Sequence, residues 1–133
     1  MANDITLTQP DLIDRLLANL PSGYTAATVK LPNAPFTTPQ KTKWMRGTVL
    51  FNDTENVTPD GYKRTFGFFV VDLFFPKGVG DKNQLSDAKL IQTLFDNQEF
   101  GNTKCFTASV VNGVEEDAWF NLKVSTEFFF EGV

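Results

Sequence analysis

Few residues in this 133-residue chain are of the types that carry out chemistry. Histidine is absent and cysteine occurs once. This excludes histidine-based triads, histidine metal sites, cysteine-rich zinc sites and any intrachain disulfide. Asp72 stands inside the most apolar stretch, Phe66 to Phe75, where a buried carboxylate could act as an acid. A hairpin turning over Asn52 to Gly61 would set Asp72 opposite Lys41 or Lys43, so an ion pair at the end of a sheet is the expectation. Gly78-Val79-Gly80 lies between a strand and a helix, as phosphate loops do. It lacks both the third glycine of a dinucleotide fingerprint and the Gly-Lys-Ser/Thr ending of a P-loop, so it reads as a structural turn. Glu115-Glu116-Asp117 could draw a divalent cation, but the ligand spacing of a calcium loop is missing. Cys105 alternates with Phe106 in a strand and has no histidine to activate it, so it reads as a small core residue.

One basic and aromatic cluster stands out: Lys41, Lys43, Trp44 and Arg46, with Tyr62, Lys63 and Arg64. Such side chains stack on nucleic-acid bases and neutralise phosphates. They are also the types enriched at protein interfaces, and the balance of 12 basic to 16 acidic residues favours that second reading. The N-terminus has no basic run before its first apolar residues, and the Phe66 to Phe75 stretch is short and interrupted by Asp72. No export signal or membrane span is therefore expected.

The elements that position these residues follow from periodicity. Thr8-Gln9-Pro10-Asp11 supplies a helix start, and Leu12, Ile13, Leu16, Leu17 and Leu20 recur at helical spacing, which predicts a helix over 8–20. Residues 21–40, with Pro21, Pro32, Pro35 and Pro39, read as an extended arm that includes a weak edge strand over Ala26 to Leu31. Strict alternation over 41–52 and 62–75 predicts a hairpin across 41–75. Asp81 can cap a second helix over 81–96, with a stripe of Leu85, Ala88, Ile91, Leu94 and Phe95. Residues 103–130 form a closing hairpin around the acidic turn Asn112 to Asp117, with Phe120, Leu122, Val124, Phe128 and Phe130 on one face. Fourteen phenylalanines and fifteen threonines fit this strand-rich pattern. The expectation is a single domain over 1–133 of α+β class: an antiparallel sheet of about four strands, two α-helices packed on one face, and a long proline-rich arm.

The strand over 62–75 is apolar on both faces, with Phe66, Phe68, Val70 and Phe74 on one and Phe69, Val71, Leu73 and Phe75 on the other. Two helices cover one face of a small sheet, so another cover is needed for the second. An arm or a further copy of the chain would supply it, and the Phe128-Phe129-Phe130 tail adds to the demand. A homo-oligomer is expected on these grounds alone.

The order of the short motifs resembles the bacteriophage tail terminator proteins. An N-terminal leucine helix is followed by Asn33-Ala34-Pro35-Phe36, then Trp44-Met45-Arg46. Gly67 next leads into a strand ending Phe75-Pro76-Lys77-Gly78-Val79-Gly80, before the Ala88, Ile91 and Phe95 helix and the closing hairpin. The resemblance spans nearly the whole chain. It implies a non-enzymatic virion protein without cofactor, metal or catalytic residue. Such a protein is made in the host cytoplasm and forms a homo-hexameric ring that caps the tail tube, ends its growth and joins the head or neck. The partners it implies are the tail tube protein and a head-completion protein, with DNA passing through the ring unbound and no membrane contact. On this reading Trp44, Arg46, Tyr62, Arg64, Phe69 and Phe129 are candidates for subunit or tail-tube contacts, and Glu115, Glu116 and Asp117 for a channel-facing loop. A strongly anionic ring would let DNA pass without sticking. Another neck or tube protein, or a small nucleic-acid-binding module, is the alternative.

Overall fold

A computed structural model of the chain describes residues 5–78, 82–113 and 119–132. Among the described residues are α1 (Ile5–Ala18), β1 (Val29–Lys30), β2 (Trp44–Asn56), β3 (Lys63–Pro76), α2 (Lys82–Phe95), β4 (Glu99–Phe100), β5 (Thr103–Asn112) and β6 (Trp119–Gly132). The strands form one sheet in the order β1-β2-β3-β6-β5-β4. β1 runs parallel to β2 and every other pairing is antiparallel. The class is α+β, but the expected four antiparallel strands are six in a mixed sheet. Of the two additional strands, β1 falls inside the weak edge strand expected over Ala26 to Leu31, and β4 has two residues, too few to display a period of two. The last strand is also the most central: β6 inserts between β3 and β5, so the chain from β3 through α2 to β5 leaves a slot that only the C-terminal strand fills.

Both helices lie on one face of this sheet. α1 buries Thr8, Leu12 and Leu16, three residues on one stripe at a spacing of four. It starts earlier than expected, at Ile5, so Thr8 is an inner residue of the helix rather than its cap. Pro10 falls inside it and forgoes one main-chain hydrogen bond. α2 turns Gln84, Asp87, Ala88, Ile91 and Phe95 inward. Leu85, expected in that stripe, points to solvent at 52% exposure, because the buried stripe starts one residue earlier, at a polar glutamine. Leu12, Leu16, Ile91 and Phe95 meet Phe69, Val71, Leu73, Val124 and Phe128 from the sheet in one core. Each large apolar side chain so buried contributes about 1.5–3 kcal/mol. Phe69 and Phe95 pack edge to face at 5.1 Å.

Polar bonds lock α1 in place. Arg15 Nε donates to the Leu94 carbonyl at 2.8 Å, and the Asn102 amide donates to Asp11 Oδ2 at 2.8 Å. The segment expected as a free arm over 21–40 is tied down as well. Tyr24 and Val29 are buried, Ala26–Thr28 forms a 3-10 turn, and the Phe36 ring rests 5.3 Å from Trp44.

The β2–β3 hairpin is longer than alternation suggested. β2 continues to Asn56 through a bulge between Phe51 and Thr54, and the turn is Val57 to Tyr62, with the Val57 amide donating to the Tyr62 carbonyl at 2.8 Å. Gly61, at φ +95, supplies the left-handed residue that this turn needs. Gly67 is needed for another reason. A Cβ there would lie 2.6 Å from the Phe128 ring, which crosses directly over it from β6. At the opposite side of the sheet the β5 edge is capped by side chains. Ala108 donates its amide to Asp96 Oδ1 at 2.8 Å and accepts from Gln92 Nε2 at 2.9 Å. Capping of this kind keeps an edge from recruiting another strand.

Candidate contact surface

The alternation that sends Phe69, Val71 and Leu73 under the helices sends Arg64, Phe66, Phe68, Val70, Asp72 and Phe74 to the other side. Their cross-strand neighbours are Arg46 and Leu50 on β2, and Trp119, Lys123, Glu127, Phe129 and Glu131 on β6. These residues make up a helix-free face with three zones. At one end, Trp44 stacks on Phe74 at 4.1 Å and meets Trp119 edge-on at 6.0 Å, with Phe36 covering it.

The centre is ionic. Asp72 is buried, its carboxylate gripped by Arg46 Nη2 at 3.1 Å and by Lys123 Nζ at 2.5 Å. The sequence placed its partner at Lys41 or Lys43. The structure moves it to Arg46, because the hairpin turns later and carries a bulge, and because Lys43 faces the helices. There Lys43 bonds Asp87 at 2.7 Å and lies over the Tyr24 ring at 4.5 Å. A carboxylate held by two cations has both oxygens engaged, so the arrangement serves to hold strands rather than to move protons.

The third zone lies at the far end. Arg64 Nη2 pairs with Glu131 at 2.8 Å, Lys104 reaches the same carboxylate at 3.8 Å, and both cations lie over the Phe129 ring, which also stacks on Phe106 at 5.2 Å. Along this face Leu50 and Phe68 remain exposed between the centre and this end, Val111 beside Lys123 and Phe106 against Phe129. Among the described residues no helix covers these side chains, which makes the face a candidate contact surface.

Of the candidates named from sequence, Trp44, Arg46, Arg64 and Phe129 share this face. Trp44 is itself largely covered by Phe36 and Phe74. Tyr62 closes the hairpin turn. Phe69 is corrected: at 1% exposure it packs against Phe95 beneath the helices, because its position in β3 is odd where the open face is even. Glu115, Glu116 and Asp117 lie outside the described residues, as do Val79 and Gly80 of the glycine turn. The nucleic-acid reading is weakened, since three of the cluster's five basic residues, Lys43, Arg46 and Arg64, are each held by a carboxylate. Sequence reasoning missed Lys123, Glu131 and Lys104. Alternation within 103–130 put Lys123 opposite the phenylalanine face, but only the strand order shows that β6 adjoins β3.

Two groups on the covered side are strongly perturbed. Burial pushes the Cys105 thiol up to about 12, against a smaller opposing pull from Arg15. Burial also raises the Tyr24 hydroxyl far above its ordinary range, and the Asp87 charge adds to the effect. Both stay neutral at physiological pH.

The fold is a mixed sheet with two helices on one face and exposed apolar side chains on the other. Comparison with known proteins gives the particular family. The chain matches the family described as phage tail terminator protein over residues 11–128, and it belongs to that family. The family is one of structural phage proteins, and membership makes the chain a component of phage tail completion. No curated protein matches it. A solved structure superposes with a TM-score of 0.75 at 19% identity, covering 99% of each chain, a likeness of fold. Among the described residues, no helix is long and apolar enough to cross a membrane.

Proposed function

We propose that six copies of this chain close into a ring on the finished tail tube, stop its polymerisation, and present the joint to the head or neck. The observation that carries this reading is the helix-free face. Leu50, Phe68, Phe106 and Val111 lie open around the Asp72 ion-pair cluster, apolar surface beside polar groups that are already paired, which supports burial in an assembly. Arg46, Arg64 and Phe129 contribute to subunit or tail-tube contacts there, with Trp44 beneath and Tyr62 at the rim. The acidic candidates Glu115, Glu116 and Asp117 add negative charge that repels the phosphates of DNA passing through the ring unbound. Assembly takes place in the host cytoplasm and the ring remains in the virion neck, its partners being the tube protein and a head-completion protein.

Deleting the gene and examining the particles by negative-stain electron microscopy tests this reading. Overlong tails, or tails detached from heads, corrected when the protein is supplied in trans, are the expected result. Tails of normal length joined to heads would overturn it.

A further inference from the structure

We infer that neighbouring copies meet tip to groove, the β2–β3 hairpin tip of one chain seating between α1 and α2 of the next. The inference rests on the ring reading above and assigns its subunit contact.

The groove lies on the helix side, away from the ionic face. It encloses about 520 Å³ and is lined by Leu20, Leu90 and Leu94, with Arg15 and Lys89 at its walls. No carboxylate lines it among the described residues. Arg15 spends its hydrogen bonds on neutral acceptors, the Leu94 carbonyl at 2.8 Å and Gln98 Oε1 at 3.4 Å, so its charge is not cancelled there. Leu90 is 56% exposed and gives the groove an accessible apolar side chain.

The hairpin tip has the opposite character. From Leu50 to Tyr62 the chain carries Asp53, Glu55 and Asp60 and no basic residue. Every residue from Leu50 to Asp60 is exposed, including Leu50, Phe51 and Val57. The turn is pinned by Gly61 and by a hydrogen bond between Thr58 Oγ1 and Asp60, so the tip is a preformed shape. An anionic ridge with apolar side chains matches a cationic groove with an apolar floor in both sign and chemistry. The two surfaces are different parts of one chain. Their contact is therefore head to tail, the type of contact that generates rings.

The test uses the full chain bearing Val57→Cys and Leu90→Cys together, incubated with an added oxidant with and without tail tubes. The native Cys105 thiol is buried and stays silent. A ladder of covalent oligomers extending beyond the dimer, absent from each single variant, is the expected result. Bridging that stops at the dimer, or bridging in Val57→Cys alone, shows a like-with-like contact and overturns the inference. If sedimentation shows assembled rings and no Val57 to Leu90 bridge forms, this contact is overturned while the ring stands. A monomer under all conditions, tubes included, overturns both. Charge provides an independent check. Lys89→Glu should weaken assembly about tenfold, and adding Asp53→Lys and Glu55→Lys to the same chain should restore it. Failure of that restoration also overturns the pairing.

Discussion

The two faces of the β3 strand are made from the same few residue types and are held in opposite ways. On the helix side, Phe69, Val71 and Leu73 are sealed under Leu12, Leu16, Ile91 and Phe95. On the other side, Phe68 and Val70 stand beside Asp72 in its grip of Arg46 and Lys123, and no helix lies above them. The difference separates stability from assembly. The covered face holds the monomer together, whereas the open face keeps its strands aligned with charge and leaves apolar surface for a neighbour. Charge suits that purpose, because an ion pair fixes strand register and remains compatible with water until a partner arrives.

The largest effect that would test this contrast is expected from Phe69→Ala. Removing a fully buried phenylalanine ring should cost about 3–5 kcal/mol in denaturant unfolding. A cost below about 1 kcal/mol would mean that the helices do not seal this face.

Asp72→Asn should come next, at about 1–3 kcal/mol. The substitution leaves Arg46 and Lys123 facing each other, and their exposure of about a third lets solvent absorb part of the loss. The register of β2 and β6 against β3 should loosen as well, which hydrogen exchange of the β3 amides would detect as faster exchange confined to this region. Unchanged stability and protection would show that the open face is held by its aromatic end alone.

An intermediate effect appears only at high pH. Because burial raises the Cys105 thiol to about 12, the folded chain keeps its proton after the unfolded chain has lost it. Stability from this group is fully present below about pH 9 and falls as pH rises from there through the folded value, by at most about 1.4 kcal/mol per pH unit. Cys105→Ala removes that part of the slope, so the two proteins should diverge in melting temperature above pH 9 and run parallel below it. Parallel curves throughout would mean that water reaches the covered face.

Much of this contrast was legible in the chain. Alternation through Phe66 to Phe75 assigned each side chain to its face, and the order of short motifs pointed to the tail terminators. The register was not legible. The later turn moved the Asp72 partner past the first lysines, and a bulge between Phe51 and Thr54, which leaves no trace in alternation, set it back by one residue to Arg46. A strand of two residues carries no period, which hid β4, whereas β1 falls inside the weak edge strand expected over Ala26 to Leu31. The placement of Phe69 was an inconsistency within the sequence reading itself, since the alternation that put Phe69 with Val71 and Leu73 already set it apart from Arg64 and Phe66. Lys123 and Glu131 became visible only through the insertion of β6 beside β3, a property of the whole topology that no local pattern encodes.

The smallest effect on stability and the largest on assembly should come from one substitution, Phe129→Ser. Phe129 is half-buried on the open face, and its ring stacks on Phe106 beneath the cations of Arg64 and Lys104. Those neighbours are partly exposed side chains that can close over a missing ring, and the Arg64 to Glu131 ion pair does not depend on it. Unfolding should therefore shift by no more than about 1 kcal/mol. If this end of the face is buried in the assembled tail, the same substitution removes an aromatic anchor from a contact repeated around the ring, where each copy adds its loss to the next. Tails made with the variant should then be overlong or headless even though the protein folds and accumulates normally. A variant destabilised as severely as Phe69→Ala would show that the open face belongs to the core, and the division between a face for folding and a face for assembly would fail.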